Sequence, residues 1–202
     1  MDQKIKDRLK QVLAERHRQT VDNPELTPAA VLVPFYEKEG EYYLLLTKRT
    51  HRVQNHKGQI AFPGGRVEAS DKDYLATALR ESYEEIGLDP RDVEVLGELD
   101  EEKTLTTDFV MHSFVALIPY PYEFRLSSRE VDQLVEVPSS VFLDKYVFRQ
   151  DTVIDNDGRQ VQAYYYEYNG HTIWGATARI LKKFFDLLQD YGFLPSRRHL
   201  NS

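Results

Sequence analysis

The stretch GGRVEASDKDYLATALRESYEEIGL, residues 64–88, decides how the rest of the chain is read. From about Asp73 to Ile86 it carries a helical pattern, and Gly87 stands where a left-handed cap favours glycine. On a helical wheel Leu75, Ala78, Leu79, Ser82 and Ile86 share one direction, the core face. Glu81, Glu84 and Glu85 fall on the opposite side at i, i+3 and i+4, so their carboxylates crowd together. Arg80 reaches Glu84 at i+4 and neutralises only one of them. Like charges at that spacing destabilise a helix by a few tenths of a kcal/mol per pair, and acids near a helix C-terminus oppose its macrodipole. A glutamate trio of this kind is by itself a solvated face. Its surroundings argue for more. Three carboxylates on one rigid face make an all-oxygen site for a hard divalent cation, and Gly64-Gly65 permits close backbone approach and offers a carbonyl as a further ligand.

The charge pattern points the same way. Residues 68–102 hold 13 acids against three bases, so this segment carries −10 against a formal total of −7, and the remainder of the chain is +3. Upstream, residues 42–67 contain Lys48, Arg49, Arg52, Lys57 and Arg66 and no acid. A cationic stretch beside a dense acidic one suits a site that handles both metal and phosphate, and hence metal-assisted phosphoryl chemistry. The net negative charge argues against a general binder of nucleic acid or anionic membranes.

Outward from the acidic helix, residues 3–16 read as an amphipathic helix through Ile5, Leu9, Val12 and Leu13. Residues 29–36 and 42–46 are strand-like around a turn at Gly40, and residues 47–65 read as a long polar stretch. Further strands are expected at 93–99 and 109–118, a helical or irregular lid at 130–144, and a hairpin of 147–154 and 160–168 around Asn156-Asp157-Gly158. A closing helix is expected at 177–191. Strands with interspersed helices predict an α+β chain, a mixed α/β/α sandwich. The 202 residues suit one domain, divided as an N-terminal helix and linker (1–27), a main domain (28–192) and a tail (193–202).

The chain has no cysteine, which removes disulfides, thiolate metal sites and cysteine nucleophiles and fits a reducing, cytoplasmic setting. The first twenty residues are charged throughout, unlike a signal peptide. The apolar runs, such as 29–35, are too short to span a bilayer. Neither a membrane nor a nucleic acid is expected as partner. The N-terminal helix is an element against which a second copy of the chain could pack, as a homodimer.

Gly65-x5-Asp71-x8-Arg80-Glu81-Ser82-x-Glu84-Glu85-x-Gly87-Leu88 resembles the Nudix box of Nudix hydrolases, and its Arg-Glu-x-x-Glu-Glu-x-Gly core matches in full. One extra residue lies between Gly65 and Arg80, Asp71 stands where the pattern prefers glutamate, and Ser82 replaces a bulkier apolar residue. The first two departures are those of a subset similar to coenzyme A pyrophosphatases. That subset is also resembled by Leu45-Leu46-Thr47-Lys48-Arg49-Thr50, by residues 56–65 (HKGQIAFPGG) and by residues 173–179 (IWGATAR). Gln54 stands where an arginine is expected, and Thr50 where serine or alanine is usual. The resemblance covers about residues 28–192.

The resemblance implies a Nudix fold, a mixed β-sheet flanked by helices, here with an extra N-terminal helix. It implies Mg²⁺ or Mn²⁺ held by Glu81 and Glu85, with Glu84 a ligand directly or through water and Gly64 contributing its carbonyl. Arg80, Glu84 and Glu85 form the catalytic set, Arg80 by orienting carboxylates. Arg49, Lys57 and Arg66 are expected at the substrate's phosphates. The implied reaction is water attack on the diphosphate of a nucleoside diphosphate substrate, coenzyme A giving 3′,5′-ADP and 4′-phosphopantetheine. ADP-ribose, NADH or a dinucleotide are alternative substrates, and a non-catalytic binding module is the alternative of another class. Glu84, Glu98, Glu101 and Glu130 are all candidates for general base. His56 and His112 read as loop or strand residues, since a hard cation prefers oxygen. Trp174 is expected to pack in the core. Of Tyr164-Tyr165-Tyr166, which alternate on a strand, one face at most is free to stack on a base.

Overall fold

A computed structural model of the chain describes residues 1–51, 57–105 and 107–194. In chain order the elements are α1 (Gln3–Glu15), β1 (Thr27–Lys38), β2 (Glu41–Arg49), β3 (Ile60–Ala61), β4 (Gly64–Arg66), α2 (Tyr74–Ile86), β5 (Glu94–Glu98), β6 (Glu102–Lys103), β7 (Phe109–Leu117), β8 (Val131–Pro138), β9 (Phe148–Ile154), β10 (Gln160–Tyr168), β11 (His171–Ile173) and α3 (Gly175–Asp190). Strand β1 is the spine. Its residues 29–36 are all buried, as an unbroken apolar run requires when layers cover both faces of a strand. It pairs antiparallel with β2 across the Glu39-Gly40 turn, and parallel with β7 from Thr27↔Phe109 to Phe35↔Leu117. The β5 and β6 strands extend the sheet beyond β7, while β3 and β8 pair with β2 and β4 pairs with β1.

Alternate residues of β1 feed two cores. Ala30, Leu32 and Tyr36 face Ala78 and Ile86 of α2. Val31, Val33 and Phe35 join Leu9 and Leu13 of α1, the α3 residues Ile180, Leu181, Phe184 and Phe185, and Tyr166 and Ile173 from a second sheet formed by β9, β10 and β11. Each fully buried side chain of this size contributes about 1.5–3 kcal/mol by leaving water. The expected mixed α/β/α sandwich is the observed architecture.

The α1 helix buries part of its apolar face within the chain, while Ile5 stays 45% exposed. Leu9 and Leu13 pack into the main core, a Cβ on Gly97 of β5 would stand 2.5 Å from Leu13 Cβ, and Lys6 and Lys10 pair with Glu94 at 3.0 and 2.7 Å. The Phe193 and Leu194 side chains also pack on that core, and the rest of the expected tail lies outside the described residues.

Two segments differ from the sequence reading. Residues 130–144, read as a helical or irregular lid, are strand β8 followed by a 3-10 turn at Ser139–Leu143. The β-branched Val131, Val135 and Val137 favour a strand, and β2 supplies its partner from Tyr43↔Pro138 to Arg49↔Val131. The polar stretch 47–65 contains β3 and the start of β4, too short and glycine-rich to show a period of two. Among the described residues no helix is long and apolar enough to cross a membrane.

Candidate active site

The α2 helix is fixed at both ends. The Asp73 side chain accepts from the Ala76 N–H at 2.7 Å, a cap worth about 1 kcal/mol. At the other end Gly87 takes φ +69°, and its N–H donates to Tyr83 O at 2.9 Å. Inward-facing Thr77, Ala78, Ser82 and Ile86 seat it on the sheet. Glu85 is buried with them, only 2% exposed, which corrects the helical-wheel placement of this residue on the side opposite the core face. The side of α2 away from the central sheet is not open to water throughout, because β4 and the end of β2 close over it. The Gly64 N–H donates to Glu85 Oε2 at 3.3 Å, and Arg49 Nη1 stands 3.3 Å from Glu85 Oε1. The Gly64 backbone thus meets Glu85 through its N–H.

Arg80 directs hydrogen bonds to five acceptors, the full donor capacity of a guanidinium. It forks onto Asp71, Nε to Oδ1 at 2.9 Å and Nη2 to Oδ2 at 3.0 Å. It also donates to Glu81 Oε1 at 2.9 Å, Glu84 Oε2 at 3.2 Å and the Arg66 carbonyl at 3.1 Å. The Asp71 carboxylate accepts two further bonds, from the Glu68 N–H and the Thr77 hydroxyl. The Arg80 fork holds its carboxyl well below the usual range. Asp71 is thus the post that fixes Arg80, and Arg80 in turn fixes Glu81 and Glu84.

Gly64, Glu81 and Glu85 line a cavity of about 530 Å³. Its charged lining is Glu81, Glu85, Glu130, Arg49 and Arg66, and an apolar wall comes from Val153, Ile154, Ala163 and Tyr165 of the second sheet with Trp174 beside them. Burial pushes the Glu85 carboxyl up to about 8, against the pull of Arg49 and the Gly64 amide, with Glu81 and Glu130 adding to the rise. Burial raises the Glu81 carboxyl as well, opposed by Arg80 and reinforced by Glu84 and Glu130. Arg49 and Arg80 each reach one oxygen, of Glu85 and Glu81 respectively, at 3.3 and 2.9 Å. The carboxylates' all-oxygen donors and mutual repulsion fit a hard divalent cation. Among the described residues no three carboxylate or imidazole side chains form a ready metal cage.

Of the residues singled out in the sequence, Glu81, Glu85, Arg49, Arg66 and Gly64 meet at the cavity. Glu84 does not line the cavity; its side chain is 56% exposed and tied to Arg80. Lys57 is exposed and does not line the cavity. Arg52, Gln54 and His56 lie outside the described residues. Glu98 and Glu101 are elsewhere, beside the buried His112 Nδ1 at 3.4 and 3.6 Å, and the His112 ring stacks on Tyr74 at 3.6 Å. Trp174, expected in the core, is 37% exposed and lines the cavity instead. Of the tyrosine triplet, Tyr166 is core and Tyr165 faces the cavity, with the Arg149 guanidinium 3.9 Å from its ring centre. The place of Glu130 beside Glu81 and Glu85 has no local signal, since it depends on β8 pairing with β2.

Gly65 separates stability from site geometry. A Cβ there would stand 2.4 Å from Glu81 Oε1, against the mobile end of a side chain and not against backbone. Gly65→Ala is expected to shift unfolding by less than about 1.5 kcal/mol while lowering hydrolysis by roughly 10-fold or more through the displaced carboxylate. Thermal melts alongside initial rates check both halves.

Comparison with known proteins places this geometry. A NUDIX domain model matches residues 26–156. The chain is 36% identical over 163 residues to NudL, an uncharacterized Nudix hydrolase of Photorhabdus laumondii, covering 80% of this chain and 84% of that one. It is 36% identical over 156 residues to the NudL of Citrobacter koseri, covering 77% and 79%. Among solved structures, a MutT/nudix family protein from Enterococcus faecalis superposes with a TM-score of 0.56 at 17% identity, covering 91% of this chain and 69% of that one, a likeness of fold. The domain match spans well over half of the chain and the relatives align along most of their length, so the chain belongs to the Nudix hydrolase family.

Proposed function

We propose that this Nudix hydrolase cleaves the diphosphate bond of coenzyme A or its derivatives, in the cytoplasm, releasing 3′,5′-ADP and 4′-phosphopantetheine. One observation supports that substrate above others. The segments that resemble coenzyme A pyrophosphatases lie far apart in sequence, yet Arg49, Gln59, Phe62 and Gly64 line the same cavity as Trp174, Gly175, Ala176 and Thr177.

In this reading Glu81 and Glu85 would hold a divalent cation, Mg²⁺ or Mn²⁺, Glu130 would add a carboxylate, and Glu84 would act through water. When bound, the cation neutralises the diphosphate and lowers the pKa of the attacking water. Arg80, anchored by Asp71, keeps Glu81 and Glu84 oriented. Arg49 and Arg66 face the outer phosphate oxygens, where a guanidinium matches phosphate geometry. Water adds to one phosphorus, the bridging P–O bond breaks, and Glu84 takes the proton. The two phosphate monoesters then leave.

The test is a hydrolysis panel of coenzyme A, ADP-ribose, NADH and diadenosine polyphosphates with Mg²⁺ or Mn²⁺, run beside Glu85→Gln. Coenzyme A is expected to be cleaved fastest. Cleavage of ADP-ribose without coenzyme A would overturn the substrate, and equal rates in Glu85→Gln and wild type would overturn the site.

A further inference from the structure

The cleavage chemistry leaves one part of the cavity wall without a task. The first turn of α3, residues Gly175, Ala176 and Thr177, lines the cavity. The cap residue is Trp174, and no side chain accepts a hydrogen bond at this helix end. Among the described residues the N–H groups of Gly175, Ala176 and Thr177 find no acceptor. Open first-turn amides and the helix macrodipole together favour an anion.

A second observation is independent of the helix end. Thr177 is only 9% exposed, and its hydroxyl bonds to no described residue. Buried hydroxyls are normally paired, as Ser82 is with the Ala78 carbonyl at 2.7 Å. Thr177 lines the cavity, and its hydroxyl oxygen is not among the fully buried unpaired atoms. The second-sheet residues that share this wall, Val153, Ile154, Ala163 and Tyr165, carry no acid to repel an anion. The carboxylates of the cavity all come from α2 and from Glu130.

We propose that the first turn of α3 and the Thr177 hydroxyl bind a phosphate monoester of the substrate, separate from the diphosphate that is cleaved. The preferred substrates are then nucleoside diphosphate derivatives carrying an additional phosphate on the sugar, which in coenzyme A is the 3′-phosphate. This rests on reading the cavity as the substrate site, and it gives that reading a basis for discriminating coenzyme A from ADP-ribose and NADH.

Calorimetric titration of the full chain with 3′,5′-ADP and with 5′-AMP tests it without turnover. Wild type is expected to bind the bisphosphate about 10-fold more tightly, the scale of a hydrogen-bonded charged group. Thr177→Val is expected to remove most of that ratio and Thr177→Ser to restore it. Equal wild-type affinity for the two nucleotides would overturn the proposal, whether or not the valine variant folds. So would inorganic phosphate binding as tightly as 3′,5′-ADP, which would indicate a free-anion site. If the preference holds but coenzyme A is not hydrolysed, the subsite stands and the substrate reading fails; if coenzyme A is hydrolysed without the preference, the reverse is true.

Discussion

Glu85→Gln is expected to lower diphosphate hydrolysis by more than about 100-fold, since even partners one shell outside a metal site are worth roughly 10–100-fold. The same substitution should change the pH dependence of stability in the absence of metal. The Glu85 carboxyl is raised from 4.5 to about 8 in the folded chain. The folded state therefore keeps a proton that the unfolded state releases, and ionisation opposes folding. The contribution of Glu85 to stability is fully present below about pH 4.5 and is lost as pH rises through the folded value near 8. Glutamine has no such loss, so the variant should melt progressively higher relative to wild type between about pH 5 and 8.5. Divalent cation should act oppositely, because it binds the ionised carboxylate and stabilises wild type more as pH rises. Parallel melting curves for the two proteins across this range, with no added response to Mn²⁺, would contradict the account.

Gly64→Ala is expected to be the most damaging small substitution in the site region. The added Cβ would stand 2.3 Å from the Ala30 carbonyl oxygen and 2.7 Å from Val31 Cα. Both belong to β1, buried on both faces and paired on both edges, so neither can yield. Gly64 also takes φ +156°, which L side chains rarely adopt. Overpacking at about 1–3 kcal/mol and backbone strain at about 1–3 kcal/mol together remove a large share of the roughly 5–15 kcal/mol that holds a domain folded. The melting temperature should fall by roughly 6–20 °C, or the chain should fail to accumulate in soluble form. A variant melting within about 2 °C of wild type would show that β4 approaches β1 less closely. The contrast with Gly65→Ala, one residue on, is the contrast between a backbone obstacle and a side-chain tip.

The α2 helix, its Asp73 start, its Gly87 stop and the Arg80–Glu84 pair were legible because each is a relation between residues a few positions apart. The β1 spine was legible from its unbroken apolar run. The burial of Glu85 was not, because a helical wheel assumes one covered side, whereas α2 has the central sheet on one side and β4 with the end of β2 on another. Asp71 matched a family pattern, but its fork onto Arg80 follows from the loop folding back on the helix. Glu130 is brought to the cavity by β8 lying beside β2, where the Thr50 N–H donates to the Glu130 carbonyl at 2.9 Å. Trp174 looked like core because it is large and apolar; its place is set by the sharp turn at Gly175, which takes φ +65°, and the cavity beside it gives its ring a surface to line.

Glu81, Glu85 and Glu130, the cavity's carboxylates, are the proposed holders of the divalent cation. Direct titration of Mn²⁺ by electron paramagnetic resonance, on wild type, Glu85→Gln, Glu130→Gln and Glu98→Gln, tests this assignment most directly. Glu85→Gln and Glu130→Gln are each expected to weaken Mn²⁺ binding by about 10-fold or more, while Glu98→Gln, whose carboxylate lies beside His112 and does not line the cavity, is expected to bind as wild type does. Wild-type affinity in Glu85→Gln, or loss of binding in Glu98→Gln alone, would contradict the assignment.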